Sequence, residues 1–250
     1  MAGQIIIVSG TSGAGKTTTI NCFSKRTVEP YLMFGIDNLL GGMLHGKYSM
    51  FGEYAKDGMY VSPENADDPE SDVRADFGEV GWSAIRAFHE MIAAASRAGQ
   101  NVVVDHLMFV DPPILQDCIW RLAGLPVLFV AAKPPFEVLM DRLATRTVDI
   151  PETMDDVAGQ IENDAALTIA KTMQKLTPWF YKASYANDCY DLVIDTDAHN
   201  PDEVCRRIES RLEEGPGTAF ESLRARYPET RIEAARVANG VQGHLLSPTA

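Results

Sequence analysis

The sequence predicts an α/β fold built on a parallel sheet, with a phosphate-binding loop at its first strand-to-helix turn. Three observations predict it. Residues Gly10-Thr11-Ser12-Gly13-Ala14-Gly15-Lys16-Thr17 fill the pattern G-x-x-x-x-G-K-[ST] directly after the apolar run Ile5 to Val8 and before a helical stretch. Further β-rich runs recur at Asn101 to Val104, Val127 to Val130 and Asp191 to Ile194. Such continuous apolar runs suit parallel strands covered on both faces. Helical segments separate the runs, and strand alternating with helix calls for a parallel sheet.

Each element has its own local reason. Thr17 to Lys25 continues the loop as a helix. Gly78 to Arg97 carries Trp82, Ile85, Phe88, Ile92 and Ala95 at intervals of three and four, which marks one buried stripe, and Gly99 stops it. Phe136 to Thr145 and Pro201 to Leu212 read as further helices, the second with Asn200 as its cap and Pro201 at the first helical position. Residues 41–76 break the rhythm with Gly41, Gly42, Gly46, Gly52 and Gly58 and then an acidic run. A stretch that long inside a compact domain is either an acceptor-site insertion, the reading favoured here, or a mobile surface loop. Gly215-Pro216-Gly217 reads as a linker to a helical tail carrying Arg224, Arg226, Arg231 and Arg236.

Composition narrows the partners. The 250 residues are 46% hydrophobic, enough for one substantial core. Lys and Arg number 22 against 35 Asp and Glu, for a net charge of −13. That balance argues against nucleic acid and anionic membrane as partners and favours a small or cationic acceptor. Cys22, Cys118, Cys189 and Cys205 form no C-x-x-C pair, so neither a zinc site nor a disulfide framework is expected. No window approaches the ~18 apolar residues of a membrane span, and a cytoplasmic location is expected. A homo-oligomer stays open.

The loop's residue types follow from phosphate chemistry. Glycines let backbone N–H groups turn inward around phosphate oxygens, and the helix adds its positive N-terminal end. Gly10, Thr11, Ser12, Gly13, Ala14, Gly15, Lys16, Thr17 and Thr18 are therefore the candidate ATP-binding set, with Lys16 reaching the β and γ phosphates. The Thr17 hydroxyl is placed to coordinate Mg²⁺. Phosphoryl transfer also needs a group on the nucleophile, a metal carboxylate and cations on the moving charge. Asp37, in Phe34-Gly35-Ile36-Asp37-Asn38-Leu39, falls where a second strand should end, so it is the candidate base for an acceptor hydroxyl. Its alternative is a helix cap. Asp105 ends the run Val102-Val103-Val104 and is the candidate Mg²⁺ carboxylate with Thr17, or else a strand-end residue bonded to its own loop. His106 is more readily a structural histidine than an acceptor contact. Arg142 and Arg146, four apart, are candidates to neutralise transition-state charge, against a solvated helix face. Asp195 and Thr196 follow the last strand, where a loop against the adenine would lie.

Taken together, Ile5 to Thr17, Phe34 to Leu40, Val102-Val103-Val104-Asp105, Val127 to Val130 and Tyr190 to Thr196 leading into Asn200-Pro201 resemble the chloramphenicol phosphotransferase family. The resemblance covers about residues 4–212, and the Phe-Gly-Ile-Asp segment is its specific sign. It implies a shikimate-kinase-like P-loop fold, ATP-dependent phosphorylation of a hydroxyl on a small molecule such as an antibiotic, and Asp37 as general base. Residues 1–212 would then form the kinase domain, with an acceptor-site insertion at about 38–77. Residues 213–250 would form an extension, helical and then irregular. An aminated acceptor, a nucleoside or other metabolite kinase, and an ATP-binding regulatory or toxin–antitoxin protein are the alternatives.

Overall fold

Alternate residues of the central strands enter two different cores, which is why the strands read as unbroken apolar runs. In the computed structural model, which describes residues 1–65, 67–68, 71–145 and 157–229, β1 (Ile5–Ser9) is buried throughout. It pairs in parallel with β5 (Asn101–His106) on one side and β6 (Val127–Ala132) on the other. β2 (Tyr31–Gly35) flanks β5 and β7 (Leu192–Ile194) flanks β6, giving a five-stranded parallel sheet of order β2-β5-β1-β6-β7. Ile5, Ile7, Val102, Val104, Val127 and Phe129 face one core, and Ile6, Val8, Val103, Leu128 and Val130 face the other.

The expected fold class is the one observed, and every strand expected from the sequence lies in this sheet. The second core is closed by α1 (Lys16–Arg26) and α7 (Pro201–Glu213), through Ile20 and Phe23 on one and Val204, Cys205 and Ile208 on the other. Asn200 caps α7 as its sequence suggests: its side chain accepts from Glu203 N–H, and Glu203 returns the bond to Asn200 N–H. The first core is covered by α3 (Glu79–Arg97), which buries Ile85, Phe88 and Ile92 and ends at Gly99 with φ +87°. α4 (Ile114–Arg121) and α6 (Val157–Ser184) complete that layer. Among the described residues no helix is long and apolar enough to cross a membrane.

Residues 41–76 are more ordered than a glycine-rich loop. After β2 come a short turn α2 (Ile36–Asn38), a π-helical turn at Leu39–Met43 and a 3₁₀ turn at Gly46–Tyr48. An antiparallel hairpin follows, β3 (Met59–Pro63) with β4 (Val73–Phe77). Met59, Ala75 and Phe77 are its buried residues. Three of the glycines serve close backbone approach. A Cβ at Gly58 would strike Tyr48 O, one at Gly78 Lys56 O, and one at Gly81 Gly58 O. Gly81→Ala should therefore cost about 1–3 kcal/mol through overpacking and loosen the 46–58 segment. A chemical-denaturation midpoint equal to the parent's would refute that expectation.

After Gly215-Pro216-Gly217, α8 (Ala219–Arg226) packs Ala219, Phe220 and Leu223 into the first core. The Asp191 carboxylate ties it to the sheet edge, accepting from Thr218, Ala219 and Phe129 N–H at 2.7, 2.9 and 2.8 Å. Arg224 and Arg226 donate to Ile119 O and Asn187 O. Arg231, Arg236 and Arg146 lie outside the described residues.

Candidate active site

The parallel register brings the candidate residues to one edge of the sheet. Gly35 pairs with Asp105, and Asp105 pairs with Val8, so the chain leaves β2, β5 and β1 at the same level. The phosphate loop, Asp105 and Asp37 follow from those three exits. This edge, at the carboxyl ends of parallel strands, is where such sheets bind ligands.

The loop has the conformation its sequence requires. Gly13 and Gly15 have φ of +79° and +89°, which side chains rarely adopt, and Gly15 opens α1 as its left-handed cap. The first-turn N–H groups of Lys16, Thr17 and Thr18 have no partner within the helix and are available to an anion. Lys16 is buried, its Nζ donating to Thr11 O at 3.0 Å and standing 3.5 Å from Asp105 Oδ1. Thr17 Oγ1 donates to Asp105 Oδ2 at 3.1 Å.

The donor set suits a divalent cation. Asp105 Oδ1 is buried without a hydrogen-bond donor. Burial pushes the Asp105 carboxyl above its usual range; Lys16 and Thr17 pull it down, while the nearby negative charge of Asp37 adds to the rise. A carboxylate oxygen without a hydrogen-bond donor, next to a threonine hydroxyl below a phosphate cradle, fits a Mg²⁺ ion bound with a nucleotide.

On the far side of Lys16 and Ser12 lies a cavity of about 310 Å³. Asp37 stands on its wall with Leu40 and Gly41 of the π-helical turn. Tyr48, Ser49, Met50 and Phe51 come from the ordered loop, Met59 from β3, Leu107 from the exit of β5, and Met173 and Phe180 from α6. Asp37 is the sole carboxylate among these residues. The Met-rich, aromatic wall is suited to an apolar body, and the phosphate loop and Asp37 supply the polar end.

The remaining candidates are placed as follows. Thr196 Oγ1 donates to Ala14 O at 2.8 Å, so the loop after β7 is fastened to the phosphate loop. Asp195 Oδ1 accepts from Asp197 and Ala198 N–H and shapes that loop. Arg142, on α5 (Phe136–Thr145), donates to Thr196 O at 3.1 Å and to Asp197 Oδ1 at 3.1 Å. It thus borders the same loop. His106 is no acceptor contact: it is fully buried, turned toward His89 and edge-on to Phe88 at 5.3 Å between ring centres.

Sequence reasoning did not find the cavity wall from Leu107, Met59, Met173 and Phe180, nor the buried His89, Asp117 and Arg121 behind the site. A signal for α6 is present, since Leu176, Trp179, Phe180 and Ala183 are buried at helical spacing. Pro178 inside the helix obscures it.

A family model described as chloramphenicol phosphotransferase-like protein matches residues 3–213. The chain belongs to that family. Among solved structures, the APS kinase of Mycobacterium tuberculosis in complex with AMPPNP and APS aligns with a TM-score of 0.52 at 16% identity, over 85% of this chain and 98% of that one. A gluconokinase from Sinorhizobium meliloti 1021 aligns with a TM-score of 0.47 at 19% identity, over 90% and 97%. A shikimate kinase from Bacteroides thetaiotaomicron aligns with a TM-score of 0.45 at 16% identity, over 84% and 98%. A search of curated proteins found no match. Membership of the chloramphenicol phosphotransferase-like family, on a P-loop kinase fold, makes the chain a kinase.

Proposed function

We propose that this kinase transfers the γ-phosphoryl group of ATP to a hydroxyl of a small, uncharged, largely apolar molecule, a chloramphenicol-like antibiotic being the leading candidate, and so confers resistance by modification. The observation that carries the reading is the position of Asp37. It lies on the wall that the apolar cavity shares with Lys16 and Ser12 of the phosphate loop.

Each group then has one task. The loop N–H groups from Gly10 to Thr18 and Lys16 hold the phosphates, and Asp195 and Thr196 line the adenine side. Thr17 and Asp105 would hold Mg²⁺, which when bound offsets phosphate charge. Asp37 accepts the proton of the acceptor hydroxyl as its oxygen bonds to the γ-phosphorus and the bond to the ADP oxygen breaks. Arg142, with Arg146, stabilises the charge on the moving group. Lys16 and Asp37 are the charged groups of the cavity wall, and their opposite signs leave no excess of negative charge for a cationic acceptor. That composition favours a neutral acceptor over an aminoglycoside.

The test is a product screen. ATP and Mg²⁺ are supplied with chloramphenicol, other neutral hydroxylated antibiotics, aminoglycosides and nucleosides, and phosphorylated product is read by mass. Neutral aromatic acceptors are expected to gain one phosphoryl group with matching ADP release. Slow ATP hydrolysis with no phosphorylated acceptor would sink the reading, and product from nucleosides or aminoglycosides alone would redirect it.

A further inference from the structure

Behind Asp105 runs a buried chain of polar side chains that the transfer chemistry does not use. Leu107 N–H donates to His106 Nδ1 at 2.8 Å. The His106 and His89 Nε2 atoms are 2.8 Å apart, and His89 Nδ1 is 2.6 Å from Asp117 Oδ2. Arg121 Nε donates to both Asp117 oxygens, at 3.0 and 2.9 Å, and Arg121 Nη1 donates to Glu90 at 2.7 Å. His89, His106 and Asp117 have no exposed surface.

His89, His106 and Cys118 bring ligand atoms within 4.8 Å of one another, a spacing compatible with a metal ion. The hydrogen bonds argue otherwise. His106 Nδ1 accepts a backbone N–H, so the ring's proton sits on Nε2, the atom a metal would need bare. That proton is donated to His89 Nε2, which places the His89 proton on Nδ1, facing Asp117. Both rings are satisfied as neutral imidazoles, and the donors all run one way, from Leu107 to Asp117.

The chain begins at a point that matters for transfer. Asp105, His106 and Leu107 are consecutive: Asp105 meets Thr17 and Lys16, and Leu107 lines the acceptor cavity. We propose that His106, held by His89 and Asp117, is a positioning residue that fixes the turn out of β5 and so sets the acceptor wall against the metal carboxylate. The inference rests on the kinase reading. Its far anchors lie on α3 and α4, so two helices hold the relative placement of the two half-sites.

The test compares His106→Asn, whose Oδ1 can still accept Leu107 N–H, with His106→Leu, which cannot. His89→Leu, which leaves the cavity wall untouched, serves as the second variant. Per folded molecule, His106→Leu is expected to lose about tenfold or more in kcat, with nucleotide Kd unchanged. His106→Asn should recover most of that loss, and His89→Leu should fall between. Exchange of the Leu107 amide should be faster in His106→Leu than in the parent, a readout that needs no turnover. Equal kcat in the Asn and Leu variants, or equal Leu107 exchange in parent and His106→Leu, would overturn the inference while leaving the kinase reading standing. Absence of transfer by the parent enzyme would remove both.

Discussion

Asp37→Asn is expected to lower kcat for acceptor phosphorylation by about 10²- to 10⁴-fold while leaving ATP affinity nearly intact. That range corresponds to about 3–5 kcal/mol of transition-state stabilisation. Asparagine keeps the shape of the side chain and removes the proton acceptor, so the cavity should bind the acceptor as before. The sign of the effect on the metal site follows from the same charge. Burial raises the Asp105 carboxyl, Lys16 opposes it, and Asp37 adds to the rise. Removing the Asp37 charge therefore makes Asp105 easier to ionise and should not weaken metal or nucleotide binding. Single-turnover transfer and a nucleotide titration separate the two effects. A variant that loses ATP binding, or one that transfers at nearly the parent rate, would show that Asp37 is not the base.

The sequence made the nucleotide half of this site legible because its signals are local. The phosphate loop is a contiguous motif, and the strand beneath it is apolar throughout. Asp37 could be picked out because it follows the first helix at a set interval, and the pairing of Gly35 with Asp105 shows why that interval brings it to the sheet edge. The acceptor half was not legible because it is assembled from distant places. Met59 is on a hairpin whose glycine-rich approach reads as loop, and Met173 and Phe180 lie on a helix interrupted in pattern by Pro178. The chain behind Asp105 joins positions 28 and 17 residues apart. No periodicity links such residues; only the packing of α3 on β5 and of α4 on α3 does. Arg142 stood out in the sequence as a candidate cation, but its bonds to Thr196 and Asp197 depend on how α5 meets the loop after β7.

The second large effect concerns stability and its dependence on pH. Burial would raise the Asp117 carboxyl, but His89 and Arg121 outweigh it and hold the group at about 2, below its ordinary value of 3.8. A folded-state value below the unfolded one means that the ionised pair stabilises the fold at every pH above about 4. The benefit, about 2 kcal/mol, is lost as pH falls toward 2. Arg121→Met removes the guanidinium from the buried carboxylate while His89 stays, at an expected cost of about 3–5 kcal/mol near neutrality. In that variant burial is less opposed and the Asp117 value rises, so protonation relieves the buried charge. The pH dependence of this site then reverses: the parent loses stability on acidification while the variant's deficit shrinks. Urea unfolding of both proteins at pH 7, 4.5 and 3 reads the difference directly. Two curves that fall in parallel would mean that Asp117 is not the group that Arg121 keeps ionised.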